Sequence, residues 1–574
     1  MTRVDLVAGE EACDILRAPA FIASWISLLE RCDHATAFQA PCFVTSWYQC
    51  YAQRWQPVVV RSIDSDGELV GLWLLAHADR GRQLVHAGAH QAEYHTWLAV
   101  PGTDQSFVSA AWKLLLKHLP FAFLRFAYLP KASLVSDLTK ALGDDWRTTV
   151  IPRPRPLQQL NATEISASFA KKSNKSRVNR LKRLGELKFE RLTDPLQVAE
   201  VLDELTTFYD FRQGAVNGTT PFREDPSKRE FCIRTFTAAP QQHCVTVTRL
   251  DGRPIAGFWG MISAPVAHLG MLMYSPFLAE HSPGKLHMMQ LADHLVGSGL
   301  SRIDLTPGGD AWKERFANEH DDVAEVLVHR THWRAARERF ISELVLAARN
   351  VARLLGSSPT RIRAAVASLR RARPSSILRR AREWVRVNRE FRVYSVDKEA
   401  KVGAECNDRS IHCNDLRDLL EFLPGESWQT RDVFLSSALA RLEQGERVYT
   451  VVVDGQLAHY GWMVLNQSRS HMSEVDQSID FPPGSFTLYD FYTHPRFRGK
   501  GLYRRTLNHM LDQAFACQGC ERVFISVLAD NLPSRRVIES AGFRFHQAFF
   551  LKRSFGVEDR WAGSATAATE ANSA

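Results

Sequence analysis

Read as a succession of apolar and polar positions, the chain repeats one motif three times. A β-rich apolar run meets an Asp-Gly pair and continues into a second such run around Asp66-Gly67, Asp251-Gly252 and Asp454-Gly455. Asp-Gly between two β runs predicts a hairpin, because a type I′ turn needs positive φ at both central residues. After each hairpin the apolar period lengthens to that of an amphipathic helix, and a further apolar strand follows. The three pairs are residues 105–118 then 121–128, 285–297 then 301–305, and 502–516 then 522–528. Three similar units in series produce this pattern, each mixing helices with a sheet, so the predicted fold class is α/β with a mixed sheet repeated in tandem.

A stretch of different character separates the second and third units. Phe340, Ile341, Leu344, Val345, Ala348, Val351 and Leu355 recur at helical spacing, and Ser376 is placed to cap a helix carrying Leu378, Ala381, Trp384 and Val385; Pro359 and Pro374 interrupt the run. Residues 334–390 hold 15 Arg, no Lys and four Glu, so the chain's whole formal charge of +9 resides there and the remainder is slightly acidic. Two readings stand side by side: a solvated helical linker packing its apolar stripe between domains, and a surface for a phosphate-rich partner or an anionic membrane face.

Composition narrows the class. With 574 residues, 45% hydrophobic, 24% charged and 10% aromatic, the chain has ordinary globular usage and length for several domains. Its longest apolar runs, 69–76 and 449–453, fall short of the ~20 residues of a membrane-spanning helix. The N-terminal stretch carries early acids and no apolar signal core, so the expected compartment is the cytoplasm. Ten scattered cysteines are expected to be reduced, and Cys517 and Cys520 have no second pair with which to hold a metal.

The third unit carries the sharpest chemistry. The β run Phe486–Thr493 leads through His494-Pro495 into Arg496-Phe-Arg498-Gly499-Lys500-Gly501 and opens directly into a helix beginning Leu502-Tyr503. Glycines at a strand-to-helix turn let backbone N–H groups approach a ligand, and the helix N-terminus adds unpaired donors and partial positive charge: an anion cradle flanked by Arg498, Lys500 and Arg504. The next strand ends at Ala529-Asp-Asn531, followed by Ser534 and by Gly542-Phe543.

These residues resemble the GNAT superfamily of acyl-CoA-dependent N-acyltransferases. At the places of its Arg/Gln-x-x-Gly-x-Gly/Ala signature the sequence has Arg498, Gly501 and Tyr503, and its downstream Asn-x-x-Ala/Ser is matched by Asn531 and Ser534. The resemblance implies acetyl-CoA or another acyl-CoA as cofactor. Phe491 and Thr493 would offer strand-edge backbone groups to the pantetheine, Arg498, Gly499, Lys500, Gly501, Leu502 and Tyr503 would hold the pyrophosphate, and Asn531 and Ser534 would lie beside the thiol arm. The sequence departs from the family at Tyr503, in place of the last glycine, and at Ile538, where many members have the tyrosine that protonates the leaving thiolate. Asp490 is the expected base, with His494 a loop residue or a second proton carrier and Tyr503 or Tyr492 the remaining hydroxyls.

The middle unit resembles the CelD-like acyltransferases of cellulose and exopolysaccharide synthesis, relatives of the FemAB aminoacyl transferases. The resemblance runs from the basic segment Lys171–Arg183 through Phe208-Tyr-Asp-Phe-Arg212, Tyr274, His281-Ser-Pro-Gly284-Lys285 and Asp304 to Lys313. Arg212, Tyr274, Gly284, Lys285, Asp304 and Lys313 are its candidate site. The first unit resembles the opening half of the same branch through Phe38-Gln39 and Trp47, and Val100–Asp104 replaces the cradle without a basic side chain. The basic segment is either a solvated face or a contact for nucleotide-sugar, lipid phosphate or tRNA.

The expected organisation is a degenerate GNAT-like domain at 1–150, a CelD-like domain at 151–333, the Arg-rich helical linker at 334–390, a GNAT N-acetyltransferase domain at 391–555 and a flexible tail at 556–574. The expected activity is acyl transfer, acetyl above all, to an amine of a polysaccharide or cell-envelope precursor. The alternatives are a FemAB-like transferase using aminoacyl-tRNA, a binding-only relative without turnover, and a polyanion-binding scaffold.

Overall fold

The computed structural model describes residues 2–78, 83–143, 145–330, 386–400, 408–426, 429–554 and 557–563. The Arg-rich helices expected over 334–385 therefore lie outside the described residues, as does the tail beyond 563. Two compact units emerge, one comprising 1–209, 221–275 and 281–354, the other 210–220, 276–280 and 355–574. Among the described residues no single helix is long and apolar enough to cross a membrane.

The hairpins form where the Asp-Gly pairs predict them. Asp251 and Gly252 sit at φ +47° and +78°, and Asp454 and Gly455 at +53° and +69°, which are two-residue turns with both centres left-handed. The first hairpin differs. Its loop is longer, only Gly67 has positive φ at +86°, and the Asp64 carboxylate accepts from the N–H groups of Asp66 and Glu68 at 2.9 Å each.

The first unit contains two sheets. The smaller is built on Arg3–Ala8, Trp55–Ile63, Leu69–Ala78 and Leu84–His86, with Leu98–Ala99 pairing Leu69–Ala78. The larger has eight strands in the order Leu187–Arg191, His243–Leu250, Arg253–Ser263, Val266–Tyr274, Arg302–Asp304, Arg147–Gln159, Glu319–His329 and Phe123–Leu129. The boundary expected between 150 and 151 is corrected by this order: it cuts strand Arg147–Gln159, and Phe123–Leu129, expected in the first domain, closes the edge of the second sheet. The strand carries Pro152, Pro154 and Pro156 where only Glu319–His329 pairs with it, so the missing donors face no ladder.

The second unit repeats the eight-stranded arrangement: His412–Cys413, Arg447–Val453, Gln456–Val464, Ser485–Thr493, Arg522–Leu528, Arg386–Asp397, Arg544–Ser554 and Val557–Gly563. In both sheets the fourth and fifth strands are the parallel pair, joined by a helix, Pro283–Gly297 in one and Leu502–Ala516 in the other. A strand that precedes all of those five enters antiparallel between the fifth and the seventh. Two expected limits shift accordingly. The domain expected from 391 begins with strand Arg386–Asp397, and residues 557–563, expected as flexible tail, pair along Arg544–Ser554.

Both large sheets carry a bulge at the same place, in the fourth strand just beyond the parallel pairing. In the second unit Tyr460 faces Tyr492 and Trp462 faces Tyr489, so Asp490 and Phe491 together oppose Gly461, and Asp490 takes φ +48°. In the first unit Gly260 faces Leu269 and Trp259 faces Met271, which leaves Gly270 as the extra residue. Such bulges end pairing and re-aim side chains.

Candidate functional site

In the second unit the parallel ladder between Ser485–Thr493 and Arg522–Leu528 ends at Leu488 and Ile525. Arg522–Leu528 stays paired with Arg386–Asp397 as far as Leu528, while Asp490 and Phe491 have no ladder partner on either side. A cavity of about 570 Å³ opens there, lined by Asp490, Phe491, Tyr503, Asn531 and Ser534 together with Arg441 and Glu446.

The glycine turn stands where an anion cradle requires it. Gly499 and Gly501 have φ +77° and +73°, and a Cβ on either would find no atom within 4 Å. Gly501 is the N-cap of Leu502–Ala516 and supplies no side-chain cap, so the N–H groups of the first turn are left to a ligand or water. Leu502 is buried in the core and pins the turn, while Arg498, Lys500 and Arg504 are exposed beside it. Arg498 is itself oriented: its Nε donates to the Thr493 carbonyl at 3.2 Å and its Nη2 pairs with Glu426 at 2.8 Å. Lys500 Nζ lies 5.1 Å above the Phe497 ring.

The remaining expected residues fall into distinct roles. Tyr503 Oη and Ser534 Oγ are hydrogen-bonded at 3.1 Å, and the Tyr503 ring packs on Phe491 at 4.8 Å. Gly461 makes that packing possible, since a Cβ there would come within 2.5 Å of the Phe491 ring. Burial pushes the Tyr503 hydroxyl up to about 12. Asn531 caps the following helix, Leu532–Ser540, by accepting from Ser534 N at 3.3 Å. His494 does not line the cavity; its Nδ1 accepts from Arg496 N at 3.3 Å, and burial together with Arg496 and Arg498 holds the imidazole below its ordinary range.

Two cavity-lining groups and one buried neighbour escaped the sequence reading. Arg441, on helix Arg431–Glu443, pairs with Asp490 and lies 4.9 Å over both the Trp462 and Tyr489 rings. Glu446 accepts from the Tyr489 hydroxyl, and burial pushes its carboxyl above the usual range against the opposing pull of Tyr489 and Arg441. His459, buried on strand Gln456–Val464, binds the Thr493 hydroxyl at 2.8 Å through Nδ1, and burial drives it down to about 3. A lone histidine in the apolar run Gln456–Val464 and an acid between Gly445 and a buried strand were the available signals; the pairing of Arg441 with Asp490 left none.

The middle domain's helix start is built differently. Ser282 at φ +53° caps Pro283–Gly297, Pro283 removes one N–H from the first turn, and a Cβ on Gly284 would lie 2.7 Å from the Tyr274 ring. The Tyr274 ring therefore packs directly against Gly284. Lys285 Nζ donates to Asn174 Oδ1 at 2.9 Å on the basic helix Lys172–Leu184. Asp304 is buried and accepts from Tyr94 Oη at 2.6 Å, Thr306 N at 2.8 Å and Arg155 Nη1 at 3.4 Å, with His268 Nδ1 at 3.2 Å. Lys313 is also buried, its Nζ donating to Thr306 O at 3.1 Å and Thr306 Oγ1 at 3.0 Å. Arg212 lies in the 210–220 stretch grouped with the second unit and pairs there with Glu443 at 2.9 Å.

Comparison with known proteins matches the two eight-stranded regions separately. Residues 168–314 match the model of an acetyltransferase (GNAT) domain, and residues 413–543 that of the acetyltransferase (GNAT) family. No curated protein matches the chain. Similar solved structures include the C-terminal DUF2156 domain of a putative lysylphosphatidylglycerol synthetase from Agrobacterium fabrum, at 14% identity, covering 56% of this chain and 96% of that one with a TM-score of 0.36. FemX is similar at 12% identity, 55% and 97% coverage and a TM-score of 0.39. A tandem GNAT protein from the clavulanic acid biosynthesis pathway is similar at 14% identity, 57% and 98% coverage and a TM-score of 0.35.

Proposed function

From a chain that belongs to the GNAT superfamily through two GNAT domains in tandem, we propose that the C-terminal domain is an acyl-CoA-dependent N-acyltransferase with acetyl as the transferred group. An amine of a polysaccharide or cell-envelope precursor is the acceptor class that the CelD-like resemblance favours. The observation that carries the assignment of cofactor to this domain is the contrast between the two helix starts. Open space stands over Gly499 and Gly501, whereas the Tyr274 ring fills the space over Gly284.

Acyl-CoA, when bound, supplies the acyl group activated as a thioester. The residues around it divide the remaining work. Backbone N–H groups from Gly499 to Tyr503 would hold the pyrophosphate, aided by Arg498 and Lys500. The unpaired backbone of Asp490 and Phe491 would fix the pantetheine along the strand edge. The acceptor must reach the carbonyl as a neutral amine, so a carboxylate has to take its proton. Asp490 is committed to its ion pair with Arg441. Glu446, raised by burial, takes the proton; Asp490 holds Arg441 away from it and shares in attracting the ammonium. Tyr503, raised to about 12, keeps its proton and donates at the sulfur as a hydrogen bond rather than as an acid.

Thioester consumption by the full chain against a panel of amines and amino sugars tests this reading. Turnover of acetyl-CoA by wild type and none by Gly501→Val supports it, and equal turnover by both sinks it.

A second reading is a FemAB-like transferase using aminoacyl-tRNA, favoured by the basic helix Lys172–Leu184. Lys172, Lys175, Arg180, Lys182 and Arg183 are exposed there, and among the described residues no carboxylate pairs with them. A polyphosphate partner would suit them and the Arg-rich segment 334–390 alike; tRNA binding that weakens steeply with salt, with no acetyl-CoA turnover, would favour this reading.

A further inference from the structure

The first unit holds a larger cavity, about 1010 Å³, at the upper end of small-molecule sites. Its walls combine two sets of residues. Phe38, Phe43 and Tyr51 come from the N-terminal segment, with His90, Gln91 and Glu93 from the loop that follows the smaller sheet's fourth strand. Trp259, Met261, His268, Gly270 and Met271 come from the third and fourth strands of the larger sheet, and Asp225 and Lys228 from the connection between its first two strands.

Three charged side chains in this wall are half-buried, and two of them are satisfied. The Asp225 carboxylate accepts from Tyr51 Oη at 2.6 Å and Gln91 Nε2 at 2.8 Å, and His90 Nε2 lies 2.9 Å from the same oxygen. Lys228 Nζ donates to Gln91 Oε1 at 2.8 Å. Among the described residues Glu93 has no hydrogen bond and no ion pair. The ammonium that acts on it most strongly, that of Lys313, is held by the carbonyl and hydroxyl of Thr306. Burial pushes the Glu93 carboxyl up, with Lys313, Lys228 and His268 pulling the other way and Asp304 adding to the rise. A negative group enclosed without a partner is unfavourable unless something of opposite sign meets it.

The cavity also touches the part of the sheet where chemistry is placed in the other domain. His268 is the last residue of its strand to pair with the neighbouring parallel strand, opposite Asp304, and Gly270 is the bulge residue. These positions correspond to the end of the ladder and to Asp490 in the C-terminal domain. The carboxylate missing at Gly270 is thus supplied to the same region by Glu93 from another element. His268 Nδ1 lies 3.2 Å from Asp304, and among the described residues its other ring nitrogen has no hydrogen-bond partner. Aromatic rings in the same wall, Phe43, Phe231 and Trp259, suit the apolar face of a sugar or an aliphatic chain and attract a cation.

We propose that this cavity binds a primary amine, with the ammonium seated on the Glu93 carboxylate and the polar remainder of the ligand on the Asp225, Gln91 and Lys228 cluster. The ligand class is defined by its ammonium group, carried by an amino sugar or by an amino acid side chain.

Calorimetry on the full chain with glucosamine, lysine and glucose tests the site. Saturable binding of glucosamine or lysine is expected, with glucose failing to bind; which amine binds tells the two sources apart. Glu93→Gln, nearly the same size, should weaken the amine at least tenfold, and Glu93→Asp, which withdraws the charge by one methylene, should restore part of the loss. Each variant's thermal unfolding midpoint confirms that it is folded. Gly501→Val, which removes the C-terminal cradle, should bind the amine as wild type does, so a failure of the cofactor assignment would leave this result standing. Absence of binding by both amines, equal affinity in Glu93→Gln, or glucose binding as well as glucosamine would each overturn the proposal.

Discussion

Tyr503 Oη and Ser534 Oγ lie 3.1 Å apart and join the first turns of the two helices that flank strand Arg522–Leu528. The tyrosine occupies the last position of the glycine signature, and its ring lies against Phe491 on the bulged strand. The signature departure is thus structural: a ring closes the floor of the cavity where a glycine would leave a gap. Tyr503→Phe keeps that ring and loses only the hydroxyl, so turnover should fall less than tenfold, a factor of ten being about 1.4 kcal/mol in the barrier. Tyr503→Gly should cost far more in stability, because it leaves a cavity beside Phe491 and frees the backbone at N2 of the helix. Steady-state rates and unfolding midpoints of both variants check the contrast.

Gly501→Val should abolish measurable CoA binding. Valine at φ +73° is strained by about 1–3 kcal/mol, and its side chain stands in the open space over the turn. Gly284→Ala is the informative partner. It would force its methyl to within 2.7 Å of Tyr274, so it should destabilise the first unit while leaving CoA affinity unchanged. Calorimetric titration of CoA with both variants distinguishes the two glycines. Loss of CoA affinity in Gly284→Ala would show that the middle domain holds the cofactor after all.

Stability of the first unit should fall on mild acidification. Burial lowers His95 and His243 to about 4 and His287 to about 3, and holds His86 well below its ordinary value. His287 shows why this is tolerated: both ring nitrogens meet hydroxyls, Thr246 at 2.9 Å and Thr248 at 2.7 Å. Below the ordinary histidine value of about 6.5 the unfolded chain binds protons that the folded unit refuses, so stability present above that pH is lost as pH falls toward the folded values. Each such histidine contributes a slope of about 1.4 kcal/mol per pH unit within that window. Denaturant midpoints of the full chain between pH 7 and pH 4.5 should therefore drop steeply. A flat profile would show that the imidazoles are protonated in the folded state.

The sequence made local features legible and non-local ones invisible. Asp251-Gly252, Asp454-Gly455 and the turn at Gly499 and Gly501 were readable because φ sign and helix starts are set by a few adjacent residues. The strand Arg147–Gln159 was cut at the wrong place because its partners, Arg302–Asp304 and Glu319–His329, lie some 150 residues on, and nothing in its own alternation of proline and arginine records them. Asp490 was singled out as the base and lines the cavity, but its pairing with Arg441 and the neighbouring Glu446 arises only when helix and sheet pack. Glu93 is the extreme case, an unremarkable acid in a loop whose significance comes wholly from the space around it.

The two carboxylates around Arg441 predict opposite pH behaviour. Glu446 must be ionised to accept a proton, and because burial raises it, turnover should climb as pH rises through that elevated value. Glu446→Gln should erase this acidic limb and lower turnover by about 10²-fold, in the ordinary range for a general base, while CoA affinity stays within a factor of two or so. Asp490→Asn acts through its partner. With Asp490 neutral, Arg441 turns its full charge on Glu446, which favours the Glu446 anion and makes it a weaker base. The limb should then persist but move to lower pH, with turnover reduced by about tenfold or more. Rate–pH profiles of wild type and both variants at saturating thioester separate the assignments. A limb that vanishes in Asp490→Asn and survives in Glu446→Gln would make Asp490 the base and Glu446 the group that tunes it.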